Sequence, residues 1–447
     1  MITDTKRRTF LASTIATGAG LTLLPSGTLA GNGAGAKLNI ALIGAYGRAA
    51  QHYKNLHTQN IVAICDVNAD NMAKAAKQFP KAKQYIDWRK CLDQKDIEAV
   101  VICTPDHHHA FISIWAMNRG LHVYCEKPLG DCVMEARAVR EVYLKNKNKL
   151  ATQQGTQRHA NPNYDRVAEL VKGGAIGELK DVHAWGSRWH KETAYRPAAG
   201  PAPSTIDWEQ WIGPTQMHPY NPEYFQPTRG PGSGCLQWNI YQDFGSWQVG
   251  DMGSHVMDLA WNAIDADRPT NIKADGDAPN AEVNPSAMRA IFEMPANDWR
   301  DEIRLVWYQG GPMPKSPLKA LDLTKIGHGV MFKGSKGVIV SDFNNRMLIP
   351  LGKDTDMTYY KSPTPDQVAP PIGDFQQQWF NACKGDLKTC CDFDYSGRMV
   401  ETLMLGLAAH QAGKELEYDA KTGTITNDPA ANALLTKPYR EGWVLNG

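Results

Sequence analysis

Between residues 38 and 128 the chain alternates two textures. LNIALIG (38–44), IVAICDV (61–67), IEAVVICTP (97–105) and HVYCEKP (122–128) are short runs, apolar almost throughout and rich in β-branched residues. Runs of that kind and length read as strands buried on both faces of a sheet. The stretches between them have apolar positions recurring every three or four residues. NADNMAKAAKQF (68–79) reads as a helix opened by Asn68, and HAFISIWAMNRG (109–120) as a helix closed by Gly120. Strand and helix in strict alternation predict a parallel, doubly wound sheet with helices on both faces.

After about residue 150 the pattern changes. NPNYDRVAELVKGGAIGEL (161–179) is a helix stopped at Gly173-Gly174, and KDVHAWGSRW (180–189) alternates like a half-buried strand. The segment 190–250 is rich in Pro, Gly and aromatic residues and has little periodicity. Strand-like pieces return at MRAIFEM, EIRLVWYQ and GVIVSDF, followed by the amphipathic SGRMVETLMLGLAAHQAGK. The expected fold class is α/β: a Rossmann doubly wound domain over 38–155, then an α/β domain over 156–447 with a large, mostly antiparallel open sheet.

Charge and cysteine content narrow the partners. Forty-eight basic residues against forty-seven acidic ones leave a net charge of +1, so no electrostatic footprint for nucleic acid or an anionic membrane is present. Nine cysteines without a CxxC pair exclude a disulfide scaffold and a zinc ribbon; Cys390-Cys391 is the only close set. Residues 1–30 place Arg7-Arg8 ahead of a mildly apolar stretch and end in Thr28-Leu29-Ala30. The arrangement resembles a twin-arginine export signal, with 31–37 as a linker. It predicts a periplasmic protein with no stable membrane insertion, whether or not the signal is cleaved.

The first strand runs into GAYGRAA, an imperfect form of the glycine-rich dinucleotide fingerprint. Gly44 serves the tight turn, Tyr46 replaces the second glycine, and Gly47 and Arg48 stand ready for a phosphate one residue late. Asp66, 22 residues after Gly44, ends the second strand where an acid bonds the adenosine ribose. It favours NAD over NADP. His107, His108 and His109 cannot converge on one ion, because consecutive side chains diverge. No metal is expected there, nor at Asp251, His255 and Asp258.

TPDHHHA (104–110), HVYCEKPLG (122–130) and GDMGSHVMD (250–258) together resemble the Gfo/Idh/MocA family, named for glucose-fructose oxidoreductase, inositol dehydrogenase and a rhizopine-catabolism protein. GTQRHANPNYDRVAELVKGGAIGEL, DWEQWIGP and the terminal YREGW look like its exported bacterial subgroup. The resemblance runs from about Leu38 to the end. It implies a tightly bound NAD contacted by Gly44, Tyr46, Gly47, Arg48, Asp66, Thr104, Pro105, His107, Glu126, Lys127 and Gln154, with His109 opening the next helix. It implies Lys127, before a possibly cis Pro128, as the group that polarises a hydroxyl. His255 is implied as general acid/base with Asp251 in support, one helical turn apart. Arg158 joins Lys127, Asp251 and His255 as a substrate contact.

Seven of thirteen tryptophans lie between Trp185 and Trp261, and aromatic faces suit sugar rings. The expected activity is therefore NAD(P)-dependent oxidation of a sugar, sugar derivative or polyol by a homo-oligomer, dimer or tetramer. A redox-neutral NAD-dependent glycoside hydrolase, like the α-N-acetylgalactosaminidases of the same superfamily, is the alternative. An inactive sugar-binding protein on the same fold is the third reading.

Overall fold

A computed structural model describes residues 36–228, 235–352, 357–361 and 370–446. The expected export signal lies outside these residues. The four anticipated strands form at Asn39–Ile43 (β1), Asn60–Cys65 (β2), Ala99–Ile102 (β4) and His122–Cys125 (β5). Two short ones, Lys83–Tyr85 (β3) and Thr152–Gln154 (β6), complete the sheet. The order is β3-β2-β1-β4-β5-β6, every pairing parallel. β1 and β4 are buried nearly throughout, which is why their sequences lack polar alternation. Asn68 caps the helix Ala69–Gln78, accepting from the backbone N–H groups of Asp70 and Asn71.

The second sheet has nine strands: Leu179–Gly186 (β7), Asn271–Gly276 (β8), Met288–Met294 (β9), Ile303–Gln309 (β10), His328–Gly334 (β11), Gly337–Ser341 (β12), Arg346–Pro350 (β13), Leu416–Asp419 (β14) and Thr424–Ile425 (β15). Their order is β13-β12-β11-β7-β10-β9-β8-β14-β15, and only β7 with β10 is parallel. The mixed, mostly antiparallel sheet is as expected.

Two elements depart from the anticipated texture. GDMGSHVMD is part of an 18-residue helix, Trp247–Ile264, whose first residue already sits in the tract read as irregular. Seventeen of its residues are buried, so it carries no polar stripe to betray its period. The helix Phe375–Lys384 packs back onto the first sheet, Trp379 meeting Tyr124 edge-on at 5.6 Å between ring centroids. The C-terminal residues return to the first sheet as well: Trp115 Nε1 donates to Val444 O at 3.2 Å, and Phe111 meets Tyr439 at 4.9 Å. No helix among the described residues is long and apolar enough to cross a membrane.

Candidate functional site

A cleft of about 640 Å³ opens where β1, β2, β4 and β5 end, and residues from 206 to 251 close its far side. Ligands of open parallel sheets bind outside the carboxyl ends of the strands, where the strand order reverses. Gly44 turns the chain at the end of β1 with φ +74°, and an added Cβ would lie 2.6 Å from the Cys103 backbone. No side chain fits there. Gly47, at φ +70°, has nothing within 4 Å of its missing Cβ. It lines the cleft with Tyr46, which is half exposed and has the Lys74 ammonium 4.7 Å from its ring centroid. The close backbone approach that the second glycine of the fingerprint supplies is thus available at Gly47.

Asp66, half-buried at the end of β2, accepts from Ala45 N–H at 2.9 Å and from Asn68 N–H at 2.9 Å. Burial pushes its carboxyl up to about 6, against these two bonds. The Tyr46 N–H and the Asn71 side chain also face this carboxylate and oppose the rise.

Beneath the glycine turn lies a charged triad. The Glu126 carboxylate is buried and bonds Arg48 Nε at 3.0 Å and His52 Nε2 at 2.8 Å. Burial alone would raise its pKa, but His52 and Arg48 hold it at about 2. His52 titrates at about 10: burial opposes its charge, and Cys103 and Glu126 override it. One carboxylate against two cations leaves a surplus positive charge under the turn, suited to a pyrophosphate. Arg48 is expected to be free for that phosphate; its Nε is instead taken by Glu126, leaving the terminal amino groups. A Cβ on Gly155 would fall 2.8–2.9 Å from the Glu126 carboxylate, so the triad also needs that glycine.

At the inner end, Lys127 Nζ contacts Asp251 Oδ1, and Arg188 Nη1 contacts Asp251 Oδ2. Burial would raise the Asp251 pKa; the two cations hold it well below the carboxylate range. Burial opposes the Lys127 charge, yet Asp251 and Asp106 keep its pKa above the usual lysine value. The Lys127-Pro128 peptide is cis. Asp106, on the cleft wall, accepts from Asn239 Nδ2 at 2.8 Å, and burial drives its carboxyl toward the neutral form.

Several expected positions prove different among the described residues. His107 does not face the cleft: Nε2 lies 2.8 Å from Trp211 O and Nδ1 3.2 Å from Phe244 O. His108 and His109 do line the cleft, His108 with Nε2 3.0 Å from the same Trp211 carbonyl. His109 opens the helix His109–Asn118 and bridges Pro128 O and Thr104 O, at 2.7 and 2.9 Å. Burial lowers the pKa of all three rings, so each, as a neutral imidazole, donates to one backbone carbonyl beside the cleft, because buried carbonyls demand donors. Thr104 and Pro105 do line it.

Gln154 is wholly buried off the cleft, with both side-chain amide atoms unpaired. Arg158 lies over the Phe343 ring, 4.0 Å from its centroid, away from the wall. Asp251 does not hydrogen-bond His255, because its oxygens are turned to Lys127 and Arg188. His255 sits one turn on, buried, with Nδ1 unpartnered. Burial, then the Lys127 charge, lower it to about 3, so the ring is neutral. Asp258 is fully buried against His159 and Tyr395.

The tryptophans divide. Trp185, Trp247 and Trp261 are core. Trp211 and Trp238 line the cleft, with Trp208 stacked on Trp211 at 4.7 Å and 8° between planes. Arg188 and His52 carry no motif. Asp106 alone had a local signal, as a charge at the end of a buried strand inside TPDHHH.

Residues 38–154 match the family profile described as "Oxidoreductase family, NAD-binding Rossmann fold", and 175–307 that described as "Oxidoreductase family, C-terminal alpha/beta domain". Inositol 2-dehydrogenase of Salmonella typhimurium is 32% identical over 28% of this chain and 37% of its own length. Levoglucosan dehydrogenase of Pseudarthrobacter phenanthrenivorans is 26% identical, over 44% and 40%. Glycosyl hydrolase family 109 protein 2 of Phocaeicola vulgatus is 28% identical, over 43% and 47%. Each match spans less than half of the relative. Among solved structures, the WlbA dehydrogenase from Bordetella pertussis, in complex with NADH and UDP-GlcNAcA, superposes with TM-score 0.59 at 15% identity, covering 86% of this chain and 99% of that one. A levoglucosan dehydrogenase complex with NADH gives 0.55 at 17%, over 85% and 99%. At such identities the likeness is one of fold. With both domains matched in order, and Glu126, Lys127 and Asp251 lining the cleft, the chain belongs to the Gfo/Idh/MocA family of oxidoreductases.

Proposed function

We propose that this protein is an NAD-dependent oxidoreductase acting on a sugar, sugar derivative or polyol. The observation that carries the reading is Lys127, a half-buried ammonium at the inner end of a dinucleotide-shaped cleft, ion-paired with Asp251 beside Arg188, with Asp106 on the same wall. Bound NAD would supply the hydride acceptor, held by Gly44, Gly47, Arg48 and Asp66. Asp66 would repel a 2′-phosphate, which favours NAD over NADP.

The chain's own residues then do the following. Lys127 donates to the reacting oxygen. With Arg188 it stabilises the negative charge that grows there as the proton leaves. Asp251 is too strongly ion-paired to act as a base; it fixes the two cations. His255, neutral and with an unpartnered Nδ1, takes the hydroxyl proton, its basicity rising as negative charge develops beside it. Trp211 and Trp238 give the sugar apolar faces.

Oxidation of the same sugar could instead acidify a neighbouring C–H and expel a glycosidic group. The match to a glycosyl hydrolase family 109 protein favours keeping this second reading. The reading also includes export through Arg7-Arg8 with cofactor already bound, and assembly as a dimer or tetramer. Screening holo-protein against free sugars and glycosides tests it. Net NADH formation identifies the dehydrogenase, glycoside cleavage without it the hydrolase, and a chain that binds no nucleotide sinks both.

A further inference from the structure

One turn beyond His255 on the helix Trp247–Ile264, Asp258 organises a second constellation that the proposed reaction does not use. His159 Nδ1 bonds both Asp258 oxygens, at 2.8 and 3.0 Å, and Tyr395 Oη donates to Oδ1 at 2.6 Å. His159 and Asp258 are buried. A ring nitrogen of His159 and the sulfurs of Cys390 and Cys391 all lie within 4.8 Å of one another. The two thiols are free, Cys391 buried and Cys390 half-buried. Though consecutive, they lie in a turn rather than in a helix or strand, where neighbouring side chains would diverge, and their sulfurs sit side by side. Nearly 230 residues separate the histidine from the cysteines, so no spacing motif signals the cluster.

We propose that His159, Cys390 and Cys391 bind one zinc-type divalent ion, with a water in the fourth position on the half-buried Cys390 side. Nitrogen and two sulfurs are the donor set of tetrahedral zinc sites, with bonds of about 2.0–2.1 and 2.3 Å. Such bonds place donors about 3.5–3.8 Å apart, so side-chain rotations of at most about 1 Å close the site. The carboxylate behind the imidazole supplies the outer support that metal-binding histidines use: Asp258 holds Nδ1–H and leaves Nε2 to the ion. Charge selects the class of metal. Two thiolates balance a 2+ ion, whereas a monovalent soft ion would leave an uncompensated negative charge beside buried Asp258. Binding releases the two thiol protons and the His159 Nε2 proton, so that the imidazole enters neutral with Nδ1–H still on Asp258.

The ion would tie together three segments: the loop after β6, the turn before the helix Phe393–Ala412, and, through Asp258, the helix bearing Asp251 and His255. Cys391 O already accepts from Gln154 N–H at 2.9 Å, so the clasp extends into β6.

The test uses the full chain, reduced, stripped with a chelator and reloaded with Zn²⁺ or Co²⁺. One ion per chain, a thiolate-to-cobalt charge-transfer band and a raised Tm are expected. Cys390→Ser, at the half-buried position, should abolish the band and retention while nucleotide binding persists, and Asp258→Asn should weaken affinity about 10–100-fold. No retained ion, a cobalt spectrum without the band, or equal retention by Cys390→Ser overturns the proposal. So does a Cys390–Cys391 disulfide that reductant fails to open.

Discussion

Lys127 and Asp251, 124 positions apart in sequence, meet side chain to side chain at the inner end of the cleft. Arg188 grips the other oxygen of the same carboxylate. One anion thus positions two cations where an alcohol would lose its proton. The two cations hold the carboxylate charged well below the ordinary carboxylate range, so in the proposed reaction it acts as a fixed charge rather than a proton shuttle.

Replacing Lys127 by Met removes a donor to the developing alkoxide while leaving Asp251 paired with Arg188. The expected loss in kcat is about 10²–10³-fold, with nucleotide affinity nearly unchanged. Lys127→Arg should not restore activity, because a planar fork cannot occupy the place of a compact ammonium. Steady-state kinetics beside nucleotide titration separate the two effects.

The Asp66 carboxylate would lie against a 2′-phosphate. Asp66→Ser should shift the NADP-to-NAD affinity ratio at least about tenfold toward NADP, equivalent to ~1.4 kcal/mol. Fluorescence titrations with the two reduced cofactors measure the ratio, and an unchanged ratio would remove Asp66 from the ribose site.

His255 is lowered to about 3 by burial and the Lys127 charge. Its imidazole is therefore already neutral throughout the range of about pH 5–8 in which an ordinary histidine titrates. The account expects kcat/KM of the wild type to show no histidine limb there. An acidic limb near the ordinary histidine value that vanishes in His255→Asn would contradict this placement.

Glu126 is held at about 2 against an ordinary 4.5, and His52 at about 10 against 6.5. A depressed carboxyl contributes stability above pH 4.5 that is lost as pH falls toward 2. A raised histidine contributes stability below pH 6.5 that is lost as pH rises toward 10. The Glu126–His52 contribution is therefore greatest between those two ordinary values, roughly 3 kcal/mol as one shared interaction. Glu126→Gln should flatten both flanks of the stability profile in denaturant titrations across pH.

The fold was legible because buried parallel strands announce themselves as unbroken apolar runs, and because Asn68 and Gly44 stand where a cap and a tight turn need them. Lys127 was legible because it closes a strand directly before proline. The helix Trp247–Ile264 was only half visible, since burial on all sides erases the alternation that marks a surface helix. Arg188, His52 and the His159–Asp258 pair were hidden for another reason. Each gains its role from a partner 63 or more positions away, brought close only by the tertiary fold. The three histidines show the reverse case: a sequence cluster whose rings the fold spends separately on backbone carbonyls.

The most direct test of the central claim is to follow reduced-nicotinamide absorbance in full-length protein given NAD and a panel of aldoses, alditols and sugar acids, with Lys127→Met alongside. The account predicts one bound nucleotide per chain and its reduction by at least one sugar or polyol, abolished in the variant. A wild type that binds no nucleotide, or a Lys127→Met protein that turns over undiminished, would contradict it.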